Sequence, residues 1–227
     1  VRILALDTAT SSCSVALWAD GVKACRTTAM ERGHAEALMP MVVEVLAAAG
    51  CAFADLDMVA VTVGPGSFTG LRIGLAAARG MALAAGLPCF GITTLEAVVE
   101  SIDLRRHKDR TVLAALDSKR GNIFAQAFGA VDRPLGPPVA VSADDLPRLV
   151  PARPIVVAGN AADRAVRALT DAAVDAVAAA PSVPVAAAVA AIAARRRRVG
   201  ATSSRSPSPL YLRPADTGPI DEGRRSG

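Results

Sequence analysis

The stretch M-V-A-V-T-V-G-P-G-S-F-T-G-L-R-I-G-L-A-A-A-R-G-M-A-L-A-A-G, residues 58–86, carries three local codes in succession. Residues 58–63 are apolar and rich in β-branched side chains, which predicts a short buried strand. Gly64-Pro65-Gly66-Ser67-Phe68-Thr69-Gly70 cannot prolong it. Pro65 has no backbone N–H, and the glycines open backbone angles that other residues avoid. Residues 71–85 are mostly Ala, Leu and Gly, a helix stopped at Gly86-Leu87-Pro88. A glycine-rich turn between strand and helix points free N–H groups at one spot, and the helix dipole favours an anion there. The alternative is a tight turn in which Ser67 or Thr69 caps the helix. No Gly-Lys-Ser/Thr follows, so the stretch is not a P-loop.

The helix itself carries a second message. Gly74, Ala77, Ala78, Met81, Ala82 and Ala85 leave almost no polar face, and only Arg72 and Arg79 break it. A helix apolar nearly all round is covered on more than one side. Small residues let another helix come close, so a partner subunit is expected on one face. Upstream, a helix over 33–49 ended by Gly50 shows the same trait. Its core stripe is Leu38, Val42, Val45 and Ala49, with Met39, Val43 and Leu46 beside it. Two such helices form a ready bundle for a partner. The expected partner-facing set is His34, Leu38, Met39, Val42, Val43 and Leu46 on the first helix. On the second it is Leu71, Arg72, Gly74, Leu75, Ala78, Arg79 and Ala82.

Working outward, three antiparallel strands open the chain at 2–7, 14–18 and 23–28, with Asp20-Gly21 as a hairpin turn. A short strand follows at 89–92. Then comes a helix from Thr93 or Thr94 to about residue 106, with Glu96 supporting its first turn. The polar run Arg105-Arg106-His107-Lys108-Asp109-Arg110 reads as a hinge between lobes. Beyond it the opening repeats: a strand at 111–117 ending in Leu116-Asp117-Ser118 answers Leu6-Asp7-Thr8, and a strand at 122–128 follows a polar turn. Repetition of this kind is a fold-level signal of two duplicated lobes. The second lobe continues with a short helix at 143–149, a strand at 154–158, a helix at 162–169 and an Ala-rich helix at 185–199. Beyond Gly200, Ser, Pro, Gly and Arg predict an irregular tail. Pro209-Leu210-Tyr211-Leu212-Arg213 is its one sticky spot, expected to dock back on the body. The division is thus 1–106, 107–200 and a basic tail at 201–227.

At 227 residues the chain suits one large domain or two small ones. A hydrophobic content of 52% with only 3% aromatics requires an aliphatic, closely packed core. No run approaches the ~18 uncharged apolar residues that a membrane helix needs. The first strand starts at once, which is expected to leave no room for a signal peptide. Cys13, Cys25, Cys51 and Cys89 form no C-x-x-C pair, which points to reduced thiols and a cytoplasmic setting. The net charge of +4 draws on Arg195, Arg196, Arg197 and Arg198 and on Arg205, Arg213, Arg224 and Arg225 in the tail. The helix-end run reads either as a solvated end suited to the dipole or as an attraction for RNA. There is no Ser-His-Asp set, H-E-x-x-H or Cys with a His partner.

Several stretches together resemble one family. They are Leu6-Asp7-Thr8-Ala9-Thr10, Arg32-Gly33-His34, Gly64 through Arg72, Gly91-Ile92-Thr93-Thr94-Leu95-Glu96, Asp117-Ser118-Lys119-Arg120-Gly121 and Pro209-Leu210-Tyr211-Leu212-Arg213. The chain is similar to the bacterial TsaB (YeaZ) family of the tRNA threonylcarbamoyladenosine system. The resemblance implies an α/β fold of the actin-like ATPase, sugar kinase and Hsp70 (ASKHA) type, two duplicated lobes each with a mixed sheet and flanking helices. It implies that the turns at Asp7-Thr8 and Asp117-Ser118 face nucleotide phosphates and Mg²⁺, with Gly64, Gly66 and Ser67 completing a nucleotide site. From the residues alone, Asp7 and Asp117 either ligate Mg²⁺ or bond their own turns.

The catalytic relative of this family, TsaD, holds a metal partly by two histidines at i and i+4. Here those positions fall on Thr94 and Val98, and a neutral Thr hydroxyl is a poor metal ligand while Val is none. The resemblance therefore implies a non-catalytic scaffold, with no metal and no cofactor of its own. It would pair with TsaD, recruit the ATPase TsaE and serve tRNA indirectly, and form a homodimer when TsaD is absent. ATP or ADP with Mg²⁺ would lie at a subunit boundary. The alternative is a small ATP-dependent kinase of the same fold acting alone.

Overall fold

The computed structural model describes residues 1–130, 133–151, 153–182, 184–200 and 206–212. The irregular tail expected at 201–227 lies outside these residues except for its docking segment, of which Arg213 is also outside.

Strands β1 (Arg2–Asp7), β2 (Ser12–Ala19) and β3 (Val22–Ala29) form an antiparallel meander. Helix α1 (His34–Ala48) leads on to β4 (Met58–Thr62), α2 (Phe68–Ala85), β5 (Cys89–Ile92) and α3 (Thr94–Glu100). Strands β4 and β5 join β1 in parallel, so the first sheet runs β3-β2-β1-β4-β5. The second half repeats the plan. It holds β6 (Thr111–Asp117), β7 (Ile123–Ala130), β8 (Arg133–Pro134), β9 (Val139–Val141), β10 (Ile155–Ala158), α4 (Ala162–Asp171), β11 (Ala176–Ala179) and α5 (Val185–Arg198). Its sheet runs β11-β10-β6-β7-β8, the same topology in mirror listing, with β9 also on β7. The duplication inferred from Leu6-Asp7-Thr8 and Leu116-Asp117-Ser118 thus extends through both whole sheets.

Period-two alternation sorts each strand into two packing layers. Ile3, Ala5, Met58 and Ala60 face a central layer that also takes Val112, Ala114 and Leu116 from the second sheet. Leu4, Leu6, Val59 and Val61 face α1 and α2 on the other side. Leu113, Ala115, Ile155 and Val157 face α4 and a 3-10 turn at Ala143–Leu149. The order is helices, sheet, helices, sheet, helices. The central layer holds α3 and α5, and α5 lies against β1, β2, β4 and α3.

This placement corrects the reading that put 107–200 wholly in the second lobe: α5 packs on the first sheet. Its composition explains why. Ala186, Ala188, Ala190, Ala193 and Ala194 are all buried, and their methyl groups let the helix lie close on the first sheet. The Ala186 N–H also donates to Ser14 Oγ on β2 at 3.1 Å.

Two helix boundaries differ from expectation. Helix α2 starts three residues earlier than 71, because Ser67 is its cap and accepts from the Gly70 N–H at 3.2 Å. Helix α3 ends at Glu100 rather than near 106. Ser101 donates to the carbonyls of Ala97 and Val98, and Asp103 then caps a separate 3-10 turn, Leu104–His107. Strands β8, β9 and β11 had no legible periodicity. Pro40 stands inside α1 without ending it.

Three glycines of the organising stretch sit where no side chain fits. A Cβ on Gly70 would lie 1.9 Å from the Thr8 carbonyl oxygen, one on Gly74 2.4 Å from Thr8 Oγ1, and one on Gly66 2.4 Å from the Ala9 carbonyl oxygen. Gly80 on the same helix meets nothing within 4 Å. Gly70→Ala is therefore expected to cost about 3 kcal/mol through overpacking. Gly80→Ala should gain up to about 1 kcal/mol of helix propensity. Urea denaturation of both variants checks this, and equal effects would overturn the close-approach account.

Candidate functional site

The turn after β1 and the glycine-rich turn before α2 are locked to each other. Asp7 is fully buried. Its Oδ1 accepts from Thr62 Oγ1 at 2.8 Å and from the Ala9 N–H at 3.0 Å, and its Oδ2 accepts from Thr10 Oγ1 at 2.6 Å. Burial pushes the carboxyl above its ordinary range, against the opposing pull of those donors and of nearby His34. Thr8, also buried, donates from Oγ1 to the Gly70 carbonyl at 2.7 Å. The Ser67 N–H donates to the Ala9 carbonyl at 2.9 Å. Of the six residues expected at nucleotide, Asp7 and Thr8 thus spend their polar atoms on the chain itself. Gly64, Gly66 and Ser67 serve backbone approach and capping. Only Gly66, Ser67 and Asp117 border open space.

That space is a cleft of about 830 Å³ between the lobes. One wall carries Thr10, Ser67 and Phe68, the other Asp117, Ser118, Lys119 and Arg120, and residues 210–212 close one side. Asp117 Oδ1 accepts from the Lys119 N–H at 3.0 Å, and its own N–H donates to Asn160 Oδ1 at 2.9 Å. Lys119 reaches Glu31 of the first lobe at 3.9 Å, an exposed pair worth little by itself. His34, placed by sequence at a partner boundary, is buried beside the cleft instead. Its Nε2 has no hydrogen-bond partner among the described residues. Mg²⁺ and a nucleotide between the two turns fit these residues poorly, because both Asp7 oxygens are sealed in and engaged.

The partner-facing set needs a second correction. Leu38, Val42, Leu46, Leu71, Leu75, Ala78 and Ala82 are buried in this chain's own core, and so is Gly74. Their stripe is the one that meets the sheet, since each helix has one inward face. Of the expected set on α1, Met39 and Val43 do stay outside. Ala35, Met39, Val43 and Ala47 are exposed on α1 at four-residue spacing, and Ala76, Gly80, Leu83 and Ala84 are exposed on α2. Met39 is 45%, Val43 65% and Leu83 85% exposed. Arg72 and Arg79 reach the surface but turn to the docked tail: Arg79 Nε donates to the Pro207 carbonyl at 2.9 Å and Arg72 Nε to the Tyr211 hydroxyl at 3.4 Å.

Half of the arginine run at the end of α5 is similarly committed. Arg195 pairs with Glu100 at 3.1 Å and Arg196 with Glu96, leaving Arg197 and Arg198 exposed. Burial pushes the thiols of Cys13 and Cys89 up to about 11, so both stay protonated at neutral pH. Among the described residues no helix is long and apolar enough to cross a membrane.

Comparison with known proteins places this architecture. The family model described as TsaD, tRNA N6-adenosine threonylcarbamoyltransferase, matches residues 27–134. The chain is 42% identical over 124 residues to the tRNA threonylcarbamoyladenosine biosynthesis protein TsaB of Escherichia coli (strain K12), covering 55% of this chain and 53% of that protein. YeaZ from Pseudomonas aeruginosa superposes with a TM-score of 0.76 at 26% identity, over 93% of this chain and 99% of that one. The chain is similar to the TsaB (YeaZ) family. It spans about half the length of the curated TsaB relatives it matches. A ROK hexokinase from Thermus thermophilus, with a TM-score of 0.50 at 13% identity over 84% of this chain and 98% of that one, shares the fold alone. The fold is the ASKHA type that the resemblance implied.

Thr94 and Val98 are both buried on α3, and Thr94 Oγ1 has no hydrogen-bond partner among the described residues. Sequence reasoning missed Thr62 as the partner of Asp7, Asn160 as the partner of Asp117, and Phe68 with Tyr211 on the cleft wall. Thr62 is found only through the parallel pairing of β1 with β4, which no spacing reveals.

Because the folded chain raises the Asp7 carboxyl above its ordinary 3.8, folding favours its protonated form. That contribution is present in full below the unfolded value and is lost as pH rises through the folded one. The stability of the parent chain should therefore fall relative to Asp7→Asn as pH climbs through the carboxylate range. Denaturant titrations of both at several pH values measure this, and parallel curves would contradict it.

Proposed function

We propose that this chain is a non-catalytic scaffold subunit in tRNA threonylcarbamoyladenosine synthesis, pairing with TsaD to support threonylcarbamoyl transfer to the tRNA adenosine next to the anticodon. The observation that carries the reading is the uncharged outer stripe of α1 and α2. Ala35, Met39, Val43 and Ala47, with Ala76, Gly80, Leu83 and Ala84, put methyl groups and aliphatic chains into water at helical spacing. Outward faces of surface helices are ordinarily polar, and small residues suit close helix–helix contact. Similarity to the TsaB family suggests the pathway, and the TsaD family match over 27–134 covers both helices.

On this reading the same face joins two copies of the chain when TsaD is absent. TsaE joins the pair and tRNA is served indirectly. The setting is the cytoplasm. ATP or ADP with Mg²⁺ lies at a subunit boundary rather than between the two turns. Thr94 and Val98 stand where the catalytic relative keeps metal-holding histidines, so group transfer belongs to the partner. The alternative, a kinase acting alone, has less support: its phosphate-facing carboxylate would be Asp7, whose oxygens already accept three hydrogen bonds from the chain.

Size-exclusion chromatography with light scattering tests the docking face. The chain should elute as a dimer alone and as a heterodimer with purified TsaD. Met39→Glu combined with Val43→Glu should weaken both associations at least about tenfold, since each buries a charge in an apolar contact. The monomer should melt normally, because both side chains are exposed. Unchanged co-elution of the double variant would remove this face from the interface. Turnover of ATP by the isolated chain would favour the kinase.

A further inference from the structure

We propose that residues 206–212 form a releasable latch that serves as a movable wall of the interlobe cleft. The segment follows α5, which lies in the central layer, and crosses the ends of β4 and β5. The Leu210 N–H donates to the Val63 carbonyl at 2.7 Å, one residue beyond β4. Arg79 of α2 grips the Pro207 carbonyl through Nε and Nη2. The Tyr211 ring stands 5.3 Å from that of Phe68, whose other neighbour is the Arg72 guanidinium at 3.8 Å. Leu212 packs against the central core, and residues 210–212 line the cleft.

The body of the protein is shaped to receive this segment. A Cβ on Gly64, where φ is +107°, would lie 2.7 Å from the Leu210 carbonyl oxygen. A Cβ on Gly91 would lie 2.9 Å from Pro207 Cβ and 2.6 Å from Val63 Cγ1. Two glycines therefore reserve the track. The hold is nevertheless slight. Among the described residues one backbone–backbone hydrogen bond fixes the segment, where a strand within a sheet has several. The remaining ties are two arginines, a half-exposed aromatic pair, the buried Pro207 and the packing of Leu212 on the core. Segments with few backbone bonds open at low free energy without global unfolding. When the latch leaves, the cleft loses the wall made by 210–212, Phe68 loses its ring neighbour, and Arg72 and Arg79 are freed. This inference concerns the cleft and stands whether or not α1 and α2 dock a partner.

Hydrogen exchange by mass spectrometry on the full chain tests it, with Arg79→Ala and Tyr211→Ala as variants that each remove one tie from the surface. Both should speed exchange in 206–212 by about tenfold through a lowered opening cost. They should also speed it in the cleft segments 64–68 and 117–121, while 155–171 on the far side keeps its protection. Release in 206–212 with the cleft segments unchanged would reduce the segment to surface packing. Unchanged protection of 206–212 in both variants would show that these ties do not hold it. Either result overturns the latch.

Discussion

The close approach of the turn after β1 to the first turn of α2 is the contact on which the first lobe depends. Thr8 and Ala9 bring backbone carbonyls against Gly70 and Gly66 at distances no side chain tolerates. Asp7 ties the turn to β4 through Thr62, and Thr8 ties it to α2 through the Gly70 carbonyl. A carboxylate pulled out of water costs free energy unless donors meet it, and here three do. The glycines that look like a phosphate cradle are in this chain a seat for backbone. The second lobe uses the same device more loosely: Gly159 comes equally close to the Ala115 carbonyl, while Asp117 stays half-exposed at the cleft.

That lock decides how the layers stack. With α2 pressed to the sheet at its N-terminal end, each helix turns one apolar stripe inward and leaves a second, which includes Met39, Val43 and Leu83, exposed. The central layer solves a different problem, since two sheets must share one layer of helices. Alanines on α5 let the first sheet and α3 close on it, which is also why so few aromatics are needed. The arginines that end this helix are partly spent holding Glu96 and Glu100 of α3, so a basic cluster in the sequence becomes, in half its members, a clasp within the central layer.

The cleft and the outer helical face are then two separate surfaces on opposite sides of α2. One is polar, walled by both lobes and by a lightly held segment of the tail. The other is apolar and open. Similarity to the TsaB family draws attention to the second surface, while Asp7 and Thr8 spend their side-chain oxygens within the chain.

Much of this was legible from the residues alone. The strand, glycine turn and helix of 58–86 and the duplicated Asp-hydroxyl turns follow from local patterns that fold largely independently of their surroundings. Three things only the tertiary structure decided. The inward stripes of α1 and α2 cannot be told from outward ones when both are apolar, because hydrophobicity gives a face its burial but not its partner. The return of α5 to the first sheet depends on contacts more than a hundred residues apart. Whether Asp7 faces solvent or the chain depends on Thr62, which reaches it only through the pairing of β1 with β4. Local chemistry sets which elements form; the long-range pairing of sheets sets which polar atoms are left over for anything else.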